Sequence, residues 1–378
     1  MLNSRRSLFS ALALASSLLM ASPGFVLPSD AAAKSARGKT KVTSKPAKKS
    51  TTTAKRSTKS RSSVKRTTKS SRYSASRSRA RRARLNRALA AQRARELREA
   101  ATPRYKLDLE GMLVPDLRAA AAVVYNPTTQ QVLWEEHGDD PRSIASITKV
   151  MTAVVLLEHE TDPTRIVEVA REDVRGANHT YLKGGERVQA YDLLHMMLIA
   201  SDNAAARALA RTSPFGAEGF VDQMNQKAGE LGLTQTHYAD PSGLLSDNVS
   251  SARDMARLIA HAAGDERIAS VMRKEWHQAT TSRRTVQVHN TNRLVGSDIE
   301  VLGGKTGFIR NSGYCLATLL RLPQTNEEVA VVVLGARSNA GRFWETRHLV
   351  NWVASKTSTM FTPPAQPLPV VETAIPQQ

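Results

Sequence analysis

Strand-forming segments lie at both ends of residues 108–356, and helix-forming sequence fills the stretch between them. The strands are predicted at 119–125, 131–134, 316–322 and 329–334. The helices are predicted between 143 and 264 and again at 340–355. Strands from the start and from the end of the domain each have an apolar face that must be buried. They can bury it by joining one sheet against which the helices pack. We therefore predict an α+β fold with an antiparallel sheet.

The positive charge is concentrated in one segment. The net charge is +20, yet Lys34–Arg95 holds 23 of the 54 basic residues and no acidic one, which leaves a net charge of −3 elsewhere. The segment has too few large apolar side chains to offset the entropy cost of ordering. We predict a disordered basic arm at 34–107, with helix-forming composition at 79–100, ahead of a folded domain at 108–356.

The first residues predict export. Arg5 and Arg6 precede an apolar run, and small residues follow at 31–33, so 1–33 is typical of a secretory signal peptide. A twin-arginine signal and an uncleaved membrane anchor are the alternatives. We expect a periplasmic protein with a Pro-rich tail at 357–378.

Histidine and cysteine usage predicts no metal site and no disulfide. The nine histidines lack metal-ligand spacing, and no glycine-rich phosphate loop is present, so no metal or cofactor is expected. Cys315 is the one cysteine of the chain, which excludes an intrachain disulfide and predicts a buried thiol.

A serine and a lysine lie three residues apart, at Ser146 and Lys149, in a mostly apolar stretch. On a helix, residues i and i+3 share one face. A serine hydroxyl is a weak nucleophile until a base removes its proton. Ser146 is predicted near the helix start, where the partial positive charge favours an oxyanion. The pair therefore predicts a nucleophile and its base; ordinary helix-capping residues are the alternative.

The tripeptide Ser-Asp-Asn occurs twice. The first copy, Ser201–Asn203, separates two helical stretches and is predicted to be a short loop in a cleft. The second copy, Ser246–Asn248, follows the turn-rich residues 240–243 and leads into a helix that Ser251 is predicted to cap. We interpret the first copy as part of an active site and the second as turn and helix-start sequence.

Lys305, Thr306 and Gly307 lie just upstream of the two late strands and are predicted to form an adjacent edge strand. Gly307 has no Cβ, so a substrate backbone could approach the strand closely. Alone, the tripeptide could be a turn before a hairpin. The three motifs together, in this order on matching elements, predict a single active site.

These motifs resemble those of the penicillin-binding, active-site-serine D,D-peptidases and of the serine β-lactamases. Four flanking sequences are similar to those of the penicillin-binding protein seven-like D-alanyl-D-alanine endopeptidases, which belong to the low-molecular-mass penicillin-binding proteins. They are 142–149, 248–254, 290–294 and 305–308. The similarity covers about residues 108–356. Asp202 stands where the resemblance implies glutamate, and the Ser-Asp-Asn spelling is equally typical of β-lactamases.

The resemblance implies a helical subdomain beside the sheet, with the site in the cleft between them. It implies that Ser146 attacks a D-Ala carbonyl and forms an acyl-enzyme, with Lys149 as the general base. A lysine needs desolvation and a nearby cation to be neutral, and Lys305 is the expected cation. Ser201 is expected to pass the proton to the leaving amine.

The resemblance also implies the substrate-binding residues. Asn203 is expected to bind the substrate amide, and Lys305 and Thr306 the carboxylate end of the leaving residue beside Gly307. The oxyanion is expected to lie on the backbone N–H groups of the nucleophile and of Phe308. The expected partners are peptidoglycan stem peptides, β-lactam antibiotics as acylating inhibitors and, through residues 34–95, anionic envelope polymers; no physiological nucleic acid is expected.

Three function classes remain open. The first is a peptidase that cuts D-Ala bonds in peptidoglycan, with cross-links preferred. The second is a serine β-lactamase, although the Glu-x-x-Leu-Asn loop of the class A enzymes has only a poor match at 230–234. The third is a non-catalytic envelope-binding protein that acts through its basic arm.

Overall fold

The computed structural model describes residues 67–160 and 162–356, with side chains from residue 78 onwards. The predicted signal peptide, the arm up to residue 66 and the tail at 357–378 lie outside these residues. The chain divides into the units Met1–Ser70 and Ser71–Gln378. Only the first four residues of a helix are described in the first unit, and the sheet and the site belong to the second. Within the described ranges, no helix is both long and apolar enough to cross a membrane.

The described residues form nine helices and thirteen strands, and a 3₁₀ turn at Ala145–Ile147. The helices are α1 Thr67–Ala101, α2 Thr148–His159, α3 Arg171–Val174, α4 Ala190–Ile199, α5 Asn203–Arg211, α6 Gly216–Glu230, α7 Ala252–Gly264, α8 Glu266–Met272 and α9 Asn339–Ser355. The strands are β1 Tyr105–Leu107, β2 Leu113–Pro115, β3 Ala121–Asn126, β4 Gln131–Glu136, β5 Arg142–Ser143, β6 Ile166–Glu168, β7 Arg187–Gln189, β8 Val249–Ser250, β9 Trp276–Thr280, β10 Thr285–His289, β11 Glu300–Ile309, β12 Gly313–Arg321 and β13 Glu328–Ala336.

A five-stranded antiparallel sheet forms the centre of the fold, in the order β11-β12-β13-β3-β4. The α+β prediction is confirmed, as are the four predicted strands, which correspond to β3, β4, β12 and β13. Lys305 and Gly307 lie in β11 at the edge of the sheet, and Gly307 is opposite Cys315 in β12. The sheet therefore brings the last predicted motif beside strands from both ends of the domain.

The sheet is buried on both faces. Successive side chains of a strand point to opposite faces, so Val123 and Val332 join one apolar cluster while Val124 and Val331 join the other. Helix α7 packs on the first face, and α9, predicted at 340–355, packs on the second. Both faces need apolar side chains, which explains the unbroken apolar run at 329–334 in β13.

The helical block predicted at 143–264 is interrupted by short strands that the sequence analysis missed. Strands β6 and β7 pair antiparallel within the block, on either side of α3, and β9 and β10 form a hairpin after it. Each of these strands is only three to five residues long. The three-residue strands β6 and β7 are too short for a clear two-residue alternation. Strand β10 does alternate exposed and buried residues, so its sequence carried a strand signal that went unused.

The region predicted as a disordered arm up to residue 107 contains α1 and β1 within its described part. Helix α1 extends beyond the 79–100 segment because its 35 residues are rich in Arg and Ala and contain neither Gly nor Pro. Its last turn is held by the guanidinium of Arg118, which donates to the carbonyl of Glu99 at 2.6 Å. Strand β1 pairs with β2, so ordered structure begins before residue 108.

Candidate active site

Ser146 lies in the 3₁₀ turn, and α2 begins two residues later at Thr148, so the serine precedes the helix rather than opening it. Ala145 holds this turn at a φ of +49°. Ser201, across the cleft, has a φ of +62°. Non-glycine residues in this left-handed region cost on the order of 1–3 kcal/mol and cluster at functional sites. The surrounding packing therefore holds two strained turns at the same cleft.

Lys149 is fully buried behind Ser146, one turn along the chain. Its Nζ lies 2.9 Å from the Ser146 Oγ and 2.6 Å from the Asn203 Oδ1, and it also contacts the backbone oxygen of Ser242. Burial lowers the pKa of Lys149 to about 7, against the opposing charges of Asp240 and Asp202. An amine with this pKa is about half neutral at pH 7 and mostly neutral above it, so it can accept the hydroxyl proton of the serine.

The first Ser-Asp-Asn copy is the predicted loop, between α4 and α5. Asp202 caps α5 by accepting a hydrogen bond from the backbone N–H of Ala205 at 3.0 Å, and burial raises the pKa of its carboxyl. Asn203 is engaged at both ends, because its Nδ2 also donates to the Ala177 carbonyl at 2.7 Å. Only one N–H and one oxygen lone pair of this amide remain for a substrate. The side chain therefore orients Lys149 as well as facing the cleft.

Lys305 is buried in β11, and its Nζ donates to the Thr306 carbonyl at 3.0 Å. Burial lowers the pKa of Lys305 well below its ordinary value, and the charges of Lys149 and Arg342 act in the same direction. Thr306 faces the cleft and its Oγ1 lies 2.6 Å from the Oγ1 of Thr291. The two buried lysines repel each other, which favours a neutral form of at least one of them.

Gly307 is needed for a reason that was not predicted from the sequence. A Cβ at this position would lie 2.6 Å from the carbonyl oxygen of Ile144 and 3.2 Å from the backbone nitrogen of Ser146. The protein's own 3₁₀ turn thus approaches Gly307 closely. The absence of a side chain lets β11 press against the turn that presents Ser146. Phe308 follows on the exposed side and stacks on Tyr314 with ring centroids 4.3 Å apart.

These elements enclose a cleft of about 600 Å³. Its lining brings together six of the eight predicted site residues, namely Ser146, Ser201, Asn203, Thr306, Gly307 and Phe308. Lys149 and Lys305 lie behind this lining, in contact with Ser146 and Thr306. Among the residues that the structure describes, the lining includes two arginines and a histidine but no acidic residue. Within the described ranges, no group of three or more His, Cys, Asp or Glu residues could hold a metal ion.

Several residues at the cleft were not predicted from the sequence. His179, Arg310 and Arg342 line it, and Arg342 donates to the carbonyls of Gly307 at 2.9 Å and Cys315 at 3.1 Å. Arg342 lies near the start of the predicted terminal helix, where nothing local marks it as a site residue. Cys315 is buried as predicted, and burial raises the pKa of its thiol.

The second Ser-Asp-Asn copy leads into α7, whose N-cap is Ser251 as predicted; the Ser251 hydroxyl accepts from the backbone N–H of Asp254 at 3.1 Å. Asn248, the last residue of the copy, is also buried and hydrogen-bonded to the 239–245 loop. The interpretation as turn and helix-start sequence is therefore incomplete.

Comparison with known proteins gives matches over the same region. The family model described as D-alanyl-D-alanine carboxypeptidase matches residues 110–338. The D-alanyl-D-alanine endopeptidase of Haemophilus influenzae is 33% identical over 228 residues, 59% of this chain and 78% of that protein. The D-alanyl-D-alanine carboxypeptidase DacF of Bacillus subtilis is 30% identical over 64% of this chain and 63% of that protein. The Streptomyces K15 DD-transpeptidase structure is 27% identical, with a TM-score of 0.59 over 63% of this chain and 97% of that one.

Proposed function

The chain belongs to the D-alanyl-D-alanine carboxypeptidase family of serine peptidases, and from this premise we propose which residues carry its reaction. Membership makes it a hydrolase that cleaves D-Ala peptide bonds through an acyl-enzyme and is acylated by penicillins. In our proposal Ser146 is the nucleophile and Lys149 its general base. The observation that carries the assignment is the 2.9 Å contact between the Ser146 Oγ and the Nζ of a fully buried lysine.

A labelled penicillin tests the nucleophile directly. We expect peptide mapping to find one adduct, on the peptide that contains Ser146, and Ser146→Ala to lose it. Ser143→Ala is the matched control, because the Ser143 hydroxyl is buried, has no hydrogen-bond partner in the described part of the chain and lies outside the cleft lining. An adduct that persists in Ser146→Ala, or that maps elsewhere, would reject the assignment.

The later steps are assigned from the cleft geometry. The backbone N–H groups of Ser146 and Phe308 would hold the oxyanion, since β11 lies against the 3₁₀ turn. The Ser201 hydroxyl, which has no hydrogen-bond partner among the described residues, would pass the proton to the leaving amine. Lys305 and Thr306 would bind the carboxylate of the leaving residue. Ser201→Ala should then slow peptide cleavage more than acylation by a β-lactam whose ring nitrogen remains attached.

The cleft lining also bears on the β-lactamase alternative. A class A lactamase needs a glutamate that activates the deacylating water, yet among the described residues no carboxylate lines this cleft. The nearest sequence match begins at Glu230, whose carboxylate is bound instead to Lys227 at the end of α6. This arrangement favours a long-lived penicillin adduct. An adduct that hydrolyses as fast as it forms would favour the lactamase, and no adduct would favour the non-catalytic binding protein.

The preferred substrate is assigned by similarity to the endopeptidase relative, which this chain covers over 78% of its length. We expect cleavage of D-Ala bonds in peptidoglycan cross-links in preference to release of the terminal D-Ala. The arginines and histidine of the cleft suit the carboxylates of stem peptides. Chromatography of digested sacculi tests this, and release of D-Ala from monomers with cross-linked dimers untouched would make the enzyme a carboxypeptidase.

Export and the basic arm complete the proposal. Residues 1–33 would direct the chain to the periplasm, and residues 34–95 would hold the enzyme against anionic envelope polymers. The 23 basic residues of Lys34–Arg95 motivate this assignment. Binding of the mature protein to sacculi should weaken steeply as salt rises, because exposed charges are screened beyond about 8 Å at physiological ionic strength. Equal, salt-insensitive binding with and without the arm would exclude the tether.

A further inference from the structure

The side chain of Lys149 has three oxygen partners with different hydrogen-bonding abilities. The amide oxygen of Asn203 and the backbone oxygen of Ser242 can only accept, whereas the Ser146 hydroxyl can donate or accept. A neutral amine has two N–H groups and one lone pair. Both N–H groups must therefore point to Asn203 and Ser242, which leaves the lone pair directed at the Ser146 O–H.

The Ser242 carbonyl is held in place by its own loop. The carboxylate of Asp240 accepts from the Ser242 backbone N–H at 2.9 Å and also from the Ser242 hydroxyl. Thr152, one turn along α2 from Lys149, donates to the Pro241 carbonyl at 2.7 Å. Gly243 has a φ of +75°, and a Cβ there would overlap the carbonyl oxygen of Ala145. The loop is thus fastened to the same turn and helix that carry the nucleophile and the base.

Asn248 binds the other carboxylate oxygen of Asp240. Its Nδ2 donates to the second carboxylate oxygen of Asp240 at 2.5 Å, and its Oδ1 accepts from the backbone N–H groups of Ala239 and Asp240 at 3.1 and 3.3 Å. The side chain has no exposed surface. The asparagine of the second Ser-Asp-Asn copy therefore stabilises the loop that contacts Lys149.

We propose that Asp240, held by Asn248, is a positioning residue for the general base. It fixes the Ser242 carbonyl that takes one N–H of Lys149, and it thereby directs the lone pair of the amine to the Ser146 hydroxyl. This inference rests on the proposed function in one respect, namely that Lys149 is the base.

The negative charge of Asp240 also acts on the pKa of Lys149, which offers a second observable. The charged groups that act on Lys149 are Asp240, Asp202, Arg207 and Lys305. Burial lowers the pKa of Lys149, and Asp240 is the first of the charges that oppose it. Removal of this carboxylate charge should therefore lower the pKa of Lys149 further, in addition to loosening the Ser242 carbonyl.

Two variants distinguish the effect of Asp240 on the position of the Ser242 carbonyl from the effect of its negative charge. Asp240→Asn removes the charge and one acceptor at nearly constant shape, whereas Asn248→Ala releases the loop and keeps the charge. Asp247→Asn is the matched control, because Asp247 belongs to the same tripeptide but is exposed and its side chain accepts a hydrogen bond from the Ser246 hydroxyl. All variants are made in the full chain and normalised to the folded fraction.

Two measurements are made on each variant. The first is the pH titration of the Lys149 ¹³Cε resonance, assigned with Lys149→Arg. The second is the rate of acylation by a soluble penicillin between pH 5 and pH 9. We expect Asp240→Asn to move the Lys149 midpoint down by about one pH unit, the low end of the effect of a close opposite charge. Both variants should lower the plateau rate about tenfold to a hundredfold, the cost of a misdirected catalytic group. Asn248→Ala should keep the midpoint of the wild type.

A purely structural role would give a different result. In that case Asp240→Asn would unfold at lower denaturant, yet its folded fraction would keep the wild-type midpoint and rate, and the proposal would be overturned. If Asp240→Asn does not fold, a wild-type plateau rate in Asn248→Ala overturns it equally. Failure of the proposed function is distinct: an unacylated wild type rejects the serine mechanism, while the ¹³Cε titration still decides whether Asp240 controls Lys149.

Discussion

Replacement of Lys149 by Met should change the pH dependence of stability by a predictable amount. The pKa of Lys149 is 10.5 in an unperturbed chain and about 7 in the fold, because of burial. A depressed lysine pKa means that the unfolded chain binds the extra proton between these two values. The free energy of unfolding of the wild type therefore rises with pH across this window, by about 1.4 kcal/mol per unit.

The interval between these two pKa values sets the sign and the size of the stability difference between Lys149→Met and the wild type. Below pH 7 the penalty of the buried amine is complete, about 5 kcal/mol, and at pH 9 it has fallen to about 2 kcal/mol. Methionine does not titrate. The free energy of unfolding of Lys149→Met, relative to that of the wild type, should therefore rise by about 3 kcal/mol on going from pH 9 to pH 6. The lost hydrogen bonds to Asn203 and Ser242 cost about 1–3 kcal/mol each, but this cost is independent of pH.

Reversible urea unfolding at several pH values measures the difference. The free energies of the wild type and of Lys149→Met are extrapolated at each pH and subtracted. Lys183→Met is the control, since it makes the same replacement at an exposed lysine. A difference between wild type and Lys149→Met that stays constant from pH 6 to pH 9 would show that the lysine is not desolvated in the fold.

Three further predictions concern catalysis. Acylation of the wild type by a soluble penicillin should fall about tenfold per pH unit below a midpoint near pH 7, because Lys149 must be neutral; stopped-flow rates would contradict this if the midpoint lay near pH 10. Gly307→Ala should lower the rate of acylation about a hundredfold, because the added Cβ meets the Ile144 carbonyl. Gly229→Ala in α6 is the control, since a Cβ there meets no described atom within 4 Å. Equal acylation rates of the two variants, measured by active-site titration, would refute a clash at Gly307. Arg310→Ala should raise KM for cross-linked muropeptides several-fold and leave acylation by penicillin unchanged; an unchanged KM would remove Arg310 from substrate binding.

The sequence by itself determined the local elements of this site. The spacing of Ser146 and Lys149 predicts side chains one turn apart, and their atoms are 2.9 Å apart. The apolar runs on either side of Ser201–Asn203 predict two helices with a loop between them, which are α4 and α5. Both inferences depend only on the helical period and on residues a few positions apart, and sequence periodicity reports this range well.

Only the tertiary structure decided how these elements support one another. The partners of Lys149 lie 54 and 93 positions along the chain, at Asn203 and Ser242, and Arg342 lies 35 positions from the Gly307 carbonyl that it binds. No local pattern links such residues, because their contact depends on how the helices pack against the sheet. The low pKa of the base has the same origin. It follows from the removal of water around Lys149, which is a property of the packed core and not of any short stretch of sequence.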